Sequence, residues 1–230
     1  MKVSVVIPCY NESDFIEKII DKVNNQNNIN KEIIVVNDGS NNKTSNILKE
    51  CLNSKKINYL INHDFNKGKG EALKTGLSKV TGEIVIFQDS DLEYDPEDYY
   101  KLIDPIVSNK ADIVYGSRFL GNEKGQRILY YWHRVGNFLL TTLTNVLTNI
   151  NFTDMETGYK AFKTEIIKSI DLKEKSFGVE PEITVKLALK KYRFYEVGIS
   201  YNGRTYDEGK KIKFKDFFIA IYCLIKYRFF

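Results

Sequence analysis

Asp89, Asp91 and Glu93 stand at alternate positions directly after an apolar run at residues 83–87, in the stretch Phe87-Gln88-Asp89-Ser90-Asp91-Leu92-Glu93. A strand points alternate residues to one face, so an extended chain here brings the three carboxylates together. Crowded carboxylates repel one another and resist desolvation unless a cation sits among them. Hard oxygen donors suit Mg²⁺ or Mn²⁺, ions that keep several waters and bind substrate phosphates at the same time. Two more polar clusters follow apolar runs, Pro8-Cys9-Tyr10-Asn11-Glu12 and Val35-Val36-Asn37-Asp38-Gly39-Ser40. Asp38 has the chemistry to accept hydrogen bonds from a nucleobase edge or ribose hydroxyls, and Tyr10 to pack on a base face. Taken singly, the same residues also read as a helix N-cap region and an Asp-Gly turn. Asn66-Lys67-Gly68-Lys69-Gly70 precedes a helix predicted from Glu71, where backbone N–H groups can receive phosphate. Its spacing is neither that of a Walker loop nor that of a dinucleotide fingerprint.

Something must hold these clusters side by side. Strand-like runs at 3–7, 32–36, 57–61, 83–87 and 112–115 alternate with helix-like spacing at 15–23, 44–52, 71–80 and 96–107. That alternation predicts an α/β fold with a mainly parallel central sheet and helices on both faces. Ligands in such sheets bind beyond the carboxyl ends of the strands, where the three polar clusters fall. The second half changes character. Aromatic and apolar residues crowd 129–150, strand and helix signals share 158–188, and 195–201 reads as a last strand. No Pro/Gly-rich linker separates the halves, which predicts one domain over 1–230. Within it, 1–118 is the ligand-binding half, 119–211 the second half and 212–230 a C-terminal amphipathic helix.

Composition narrows the classes. With 34 Lys plus Arg against 30 Asp plus Glu, the net charge is only +4 and does not call for nucleic acid. Cys9, Cys51 and Cys223 are odd in number and form no C-x-x-C pair, which fits a reducing cytoplasm better than a disulfide framework. No secretory signal is visible at the start, and no apolar stretch approaches the roughly 20 residues that cross a bilayer.

P-x-Y-N-E, V-N-D-G-S, N-K-G-K-G and D-S-D-L-E, in this order, resemble the family 2 glycosyltransferases with the GT-A fold. The resemblance is closest to the branch that moves sugars onto polyprenyl phosphate, the dolichol-phosphate mannose synthase type. It extends through Gly116-Ser117-Arg118, residues 154–160 and residues 204–210. It implies a metal-dependent, inverting hexosyltransferase using a GDP-mannose or UDP-glucose type donor at the cytoplasmic face of a membrane. Pro8, Tyr10, Glu12 and Asp38 would then hold the nucleoside, with Lys67 and Gly68 nearby. Asp89 and Asp91 would set the metal on the diphosphate. Glu93 is an added metal-ligand candidate, although it stands where the mannose synthases carry glutamine. The Q-x-x-R-W segment of polysaccharide-building relatives is absent.

An anionic lipid phosphate needs no general base, so the demand falls on alignment and on stabilising the leaving diphosphate. Arg118, Arg134, Arg204 and Lys210 are the cations nominated for this, with 204–211 as a flap by family analogy. Asp154 heads the acids, ahead of Glu156 and Glu180, and is the base if the acceptor is a hydroxyl. Phe214, Phe217, Phe218, Ile221, Leu224 and Ile225 recur at helical spacing, flanked by Lys211, Lys213, Lys215, Lys226 and Arg228. Such a helix suits an anionic membrane surface, as does 129–150, though both stripes are equally what core packing requires. Membrane contact would be peripheral or supplied by a membrane-protein partner. Three rival readings are the same fold acting on a glycan hydroxyl, a nucleotidyltransferase, and a non-catalytic nucleotide-sugar-binding subunit. The sequence lacks the Gly/Arg loop that the nucleotidyltransferase requires.

Overall fold

The computed structural model describes residues 1–121, 127, 130–205, 207–209, 211 and 214–230. Seven strands form one sheet: β1 (Val3–Cys9), β2 (Lys31–Asp38), β3 (Tyr59–His63), β4 (Ile84–Phe87), β5 (Ile113–Ser117), β6 (Lys160–Lys163) and β7 (Phe194–Gly198). Their order is β3-β2-β1-β4-β6-β5-β7, so both halves of the chain share the sheet. The helices are α1 (Ile16–Asn24), α2 (Asn42–Asn53), α3 (Lys69–Leu77), α4 (Tyr99–Val107), α5 (Tyr131–Thr148), α6 (Thr164–Lys168), α7 (Val179–Ala188) and α8 (Phe214–Phe229).

Alternation along the strands divides the core. Val3, Val5 and Ile7 of β1 pack with Ile16, Ile19 and Ile20 of α1 and Leu102 and Ile106 of α4. Val6, with Val85 and Phe87 of β4, faces Leu73 and Leu77 of α3 and Ile183 of α7. Burial on both faces is why these strands read as unbroken apolar runs. β1 and β2 run two residues past those runs, to Cys9 and Asp38. The parallel register pairs Cys9 with Asn37 and Asp38 with His63. Asn37 Nδ2 donates to Asn62 Oδ1 at 2.9 Å, so polar residues continue the ladder towards the site.

Two differences from the predicted pattern shape the site. α3 begins at Lys69 rather than Glu71, which puts a second lysine on its first turn. β6 runs antiparallel to both β4 and β5, inside a sheet whose other pairs are parallel. The reason is topological. The chain leaves β5 at the carboxyl edge, passes through α5 and returns to that same edge before entering β6. Asn149 ends α5 in the left-handed conformation, and Asn145 then bonds the Phe152 backbone twice, at 2.8 and 2.9 Å. Residues 154–158 are thereby delivered beside the ends of β4 and β5. The order reverses between β1 and β4, since β2 and β3 lie to one side of β1 and β4 to the other.

Glycines at two helical positions have opposite consequences. A Cβ on Gly70 would lie 2.0 Å from the Glu174 carbonyl oxygen and 3.1 Å from Val179 Cβ, whereas one on Gly136 of α5 would meet only a Phe217 ring carbon at 3.9 Å. Gly136→Ala should raise stability by about 0.5–1 kcal/mol through helix propensity. Gly70→Ala should lower it by more than that, because backbone must move. Urea titrations of the two variants check both signs.

Candidate active site

Every polar cluster found in the sequence sits at the carboxyl edge of the sheet. Asp38, at the end of β2, accepts from the Lys67 N–H at 2.9 Å, the Gly68 N–H at 2.8 Å and Asn66 Nδ2 at 3.0 Å, and pairs with His63 Nδ1 at 2.7 Å. Gly39 permits this: its φ is +68°, and a Cβ there would fall 2.3 Å from the Phe65 backbone. Asp38 therefore organises the 65–68 loop, and its lone pairs are largely taken before any nucleoside arrives. Lys67 and Gly68 are near it as anticipated, through their backbone. Pro8 lies beyond the last β1–β4 pair, Val6 with Phe87, where the two strands part. Tyr10 is half-exposed at the mouth of that gap.

The acidic stretch does not stay extended, and its three carboxylates divide between two partners. Asp89 turns to Lys69, whose Nζ lies 2.8 Å away and also 3.2 Å from Glu180. Lys69 was not nominated from the sequence; its place in the first helical turn after Gly68 was the available signal. Burial opposes its charge, but Asp89 and Glu180 raise its pKa. Gly158 leaves room for the pair, since a Cβ there would stand 2.5 Å from Asp89 Oδ2 and 3.1 Å from Lys69 Nζ.

Asp91 and Glu93 face Arg204 instead. The guanidinium reaches Asp91 Oδ2 at 2.6 Å, Glu12 Oε2 at 3.2 Å and Glu93 Oε1 at 3.2 Å, and lies over the Phe15 ring. Glu93 also accepts from the Arg204 N–H at 2.9 Å and the Tyr201 hydroxyl at 2.8 Å. It thus anchors the strand-following loop, a different setting from the metal ligand it was nominated to be. Lys211 joins the cluster, 2.6 Å from Glu12 and within bonding distance of the Tyr10 carbonyl, rather than bordering α8. Burial, then repulsion from Asp89 and Glu93, pushes the Asp91 carboxyl up to about 7 against the opposing pull of Arg204. A crowded set of hard oxygens suits a divalent cation. Among the described residues no group of three or more His, Cys, Asp or Glu forms a complete cage, so such an ion would draw further oxygens from its ligand.

Arg118, Asn137 and Asp154 are closed on one another. Asp154 is fully buried, bonded by Arg118 Nε at 2.6 Å and Nη2 at 2.7 Å and by Asn137 Nδ2 at 2.9 Å. That is the setting of a carboxylate orienting an arginine, not of the open base nominated from the sequence. Phe119 lies 5.8 Å from both the Arg118 and Arg134 guanidinium carbons, linking the site to the first turn of α5. Lys210 lies outside the described residues.

Asp91 carries a testable pH signature. A carboxyl whose pKa rises from the ordinary range to about 7 on folding holds its proton more tightly in the native state. The ligand-free protein should therefore lose stability from this group as pH rises through roughly 4 to 7, with no contribution below that window. Asp91→Asn should match wild type near pH 4 and gain relative to it towards pH 8. Thermal melts across that range measure the gap, and a constant gap would contradict the assignment.

Comparison with known proteins agrees with this arrangement. The model for "Glycosyl transferase family 2" matches residues 4–171. The dolichol-phosphate mannosyltransferase of Pyrococcus furiosus is 30% identical over 231 residues, covering 99% of this chain and 64% of that protein. The UDP-N-acetylglucosamine–dolichyl-phosphate N-acetylglucosaminyltransferase of Methanococcus voltae is 31% identical over 213 residues, covering 85% of this chain and 83% of that one. The chain thus spans just under two thirds of the first relative and most of the second. Glucosyl-3-phosphoglycerate synthase of Mycobacterium tuberculosis, solved with Mn²⁺, UDP and phosphoglyceric acid, superposes with a TM-score of 0.75 at 20% identity, over 99% of this chain and 78% of that one. That likeness shows the GT-A fold. On the family match and the extent of these similarities, the chain belongs to the family 2 glycosyltransferases, with relatives among those named for transfer to dolichyl phosphate.

Proposed function

We propose that this chain transfers a hexosyl group from a nucleotide-diphosphate sugar to polyprenyl phosphate at a membrane surface. The observation that carries the acceptor assignment is the row Arg118–Phe119–Arg134, which leads from the site onto an exposed apolar face. That face belongs to α5 and α8. Their inner residues, Leu140, Ala220 and Leu224, pack with Met155 and Val185. Trp132 (76%), Phe138 (66%), Phe214 (80%) and Phe218 (58%) remain exposed. The helical stripe read from sequence therefore divides: Leu224 is core, and Phe214 and Phe218 are surface. Aromatic rings with bordering cations suit the headgroup region, and a lipid phosphate would meet the arginines. No helix of the described residues is long and apolar enough to cross a membrane.

The chemistry follows from the charges. The nucleoside would lie beyond the carboxyl ends of β1 and β2, against Tyr10. A divalent ion, Mg²⁺ or Mn²⁺, held by Asp91 with Asp89 alongside would neutralise charge developing on the leaving diphosphate. Arg204 is poised to act on phosphate as well, once anionic ligands compete for its guanidinium. Asp154 is committed to Arg118, and Glu180 to Lys69 and Lys160, so neither is free to serve as the base that a hydroxyl acceptor would need. The relatives named above support the same class, with mannosyl and N-acetylglucosaminyl donors in their names.

Incubation with GDP-mannose, UDP-glucose and UDP-N-acetylglucosamine, polyprenyl phosphate and Mn²⁺, read by product mass, tests the reading. Transfer to the lipid should occur with one donor, stop with chelator, and fall at least about 10²-fold in Asp91→Asn. Product on a free sugar and none on the lipid would favour the hydroxyl acceptor.

Flotation tests the membrane face separately. Wild type should float with vesicles containing anionic lipid and polyprenyl phosphate. Trp132→Ser with Phe218→Ser should sink yet melt within a few degrees of wild type, since exposed positions contribute little to folding. A large fall in Tm would return these rings to the core.

A further inference from the structure

Glu156 is the acid that the site does not use. Its Oε1 is buried and has no hydrogen-bond partner. The other such carboxyl oxygen among the described residues, Glu180 Oε1, at least has the Lys69 ammonium at 3.2 Å. Two cations lie close enough to act on Glu156, Lys160 and Arg118, yet neither donates to its Oε1. The Lys160 ammonium has three protons and three acceptors: the Met155 carbonyl at 3.2 Å, the Thr157 carbonyl and Glu180 Oε2. Arg118 spends Nε and Nη2 on Asp154. Burial, and then the Glu180 charge, push the Glu156 carboxyl up to about 7. A buried oxygen with no partner costs about 1–3 kcal/mol, which a bound ligand can recover by supplying a donor.

Position narrows the ligand. Residue 156 sits at the crest of a turn whose carbonyls, at 155 and 157, fold down onto Lys160. One end of the turn is locked to Arg118 through Asp154, and the other, Gly158, lies against Asp89. The turn therefore stands between the acceptor-side arginine and the acidic residues after β4. A phosphate would be repelled by this carboxyl, and a lipid tail offers no donor. The base belongs at the far side, by Tyr10 and β2. The remaining hydrogen-bond donors are the hydroxyls of the sugar being transferred.

We propose that Glu156 hydrogen-bonds a hydroxyl of the donor's hexosyl group and is a specificity-determining residue for that sugar. This deepens the transfer reading above and rests on it.

The test compares donor with nucleotide. Calorimetry with Mn²⁺ gives the affinity of wild type, Glu156→Leu and Glu156→Gln for UDP and GDP and for UDP-glucose, UDP-N-acetylglucosamine and GDP-mannose. Glu156→Leu should lose about tenfold or more in affinity for the preferred nucleotide sugar and nothing for the matching diphosphate. Glu156→Gln, which keeps a polar end, should change the ranking among the sugars. Neither should melt markedly below wild type, because Leu removes the unpartnered oxygen and Gln removes the charge that burial penalises. Equal losses for sugar nucleotide and diphosphate, no loss at all, or a marked fall in Tm would each overturn the assignment. So would reduced turnover with donor affinity unchanged, which would mark Glu156 as a base acting on an acceptor hydroxyl. A wild type that binds none of the three nucleotide sugars would overturn the transfer reading as well, and that result needs no variant.

Discussion

Arg204 holds three carboxylates, Glu12, Asp91 and Glu93, that follow two different strands, and much of the site's geometry depends on that contact. Glu12 follows β1, and Asp91 and Glu93 follow β4, the pair of strands between which the sheet changes direction. Without a cation there, the negative charges would repel across a half-buried gap. The guanidinium is suited to the task because its planar fork addresses several oxygens at once and it stays charged despite desolvation. The rest of the edge repeats the arrangement on a smaller scale, with Lys69 on Asp89, Arg118 on Asp154 and Lys160 on Glu180. Each acid is matched by a cation from another element, so the pairs tie α3, β5, β6, α7 and the loop after β7 into one surface.

Such pairs are weak sources of net stability, because desolvation offsets most of the attraction. Their value is in orientation. On the proposed transfer, a site receiving a diphosphate and a second phosphate would need cations that are already positioned and can exchange one anionic partner for another. Arg204 and Lys69 have that character. Both are held by carboxylates in the ligand-free protein, and both are only partly covered. Asp38 shows the complementary case. It is spent on backbone N–H groups of the 66–68 loop, so it contributes by shaping the pocket.

The apolar face of α5 and α8 obeys a separate constraint. Each helix uses one side to cover α7 and leaves aromatic rings on the other. A monomeric surface rarely keeps so much contiguous apolar area, and the neighbouring arginines give it a charged border. The carboxyl edge and this face meet at Phe119, a junction that would suit the anionic head and apolar tail of the proposed acceptor.

The alternation of strands and helices, the position of the polar clusters at strand ends and the family pattern were legible in the sequence, because periodicity and turn chemistry are local properties. Acid identity was legible too: Asp89, Asp91, Glu12 and Asp154 all lie at the site edge. Partnership was not. Whether Asp91 meets Asp89 or Arg204 depends on a bend after β4 and on a loop more than a hundred residues away. Reading Asp154 as closed on Arg118 required the antiparallel β6, which returns residues 154–158 to the carboxyl edge. Reading Glu93 as an anchor and Lys69 as the partner of Asp89 required the loop after β7 and the first turn of α3. The same limit applies to α8, where helical spacing marks one stripe but packing against α5 and α7 decides which of its residues are core. Local sequence determined what each segment is and which charges it carries; the tertiary fold alone decided which charges are close enough to neutralise one another, because ion pairing depends on distance in space and not along the chain.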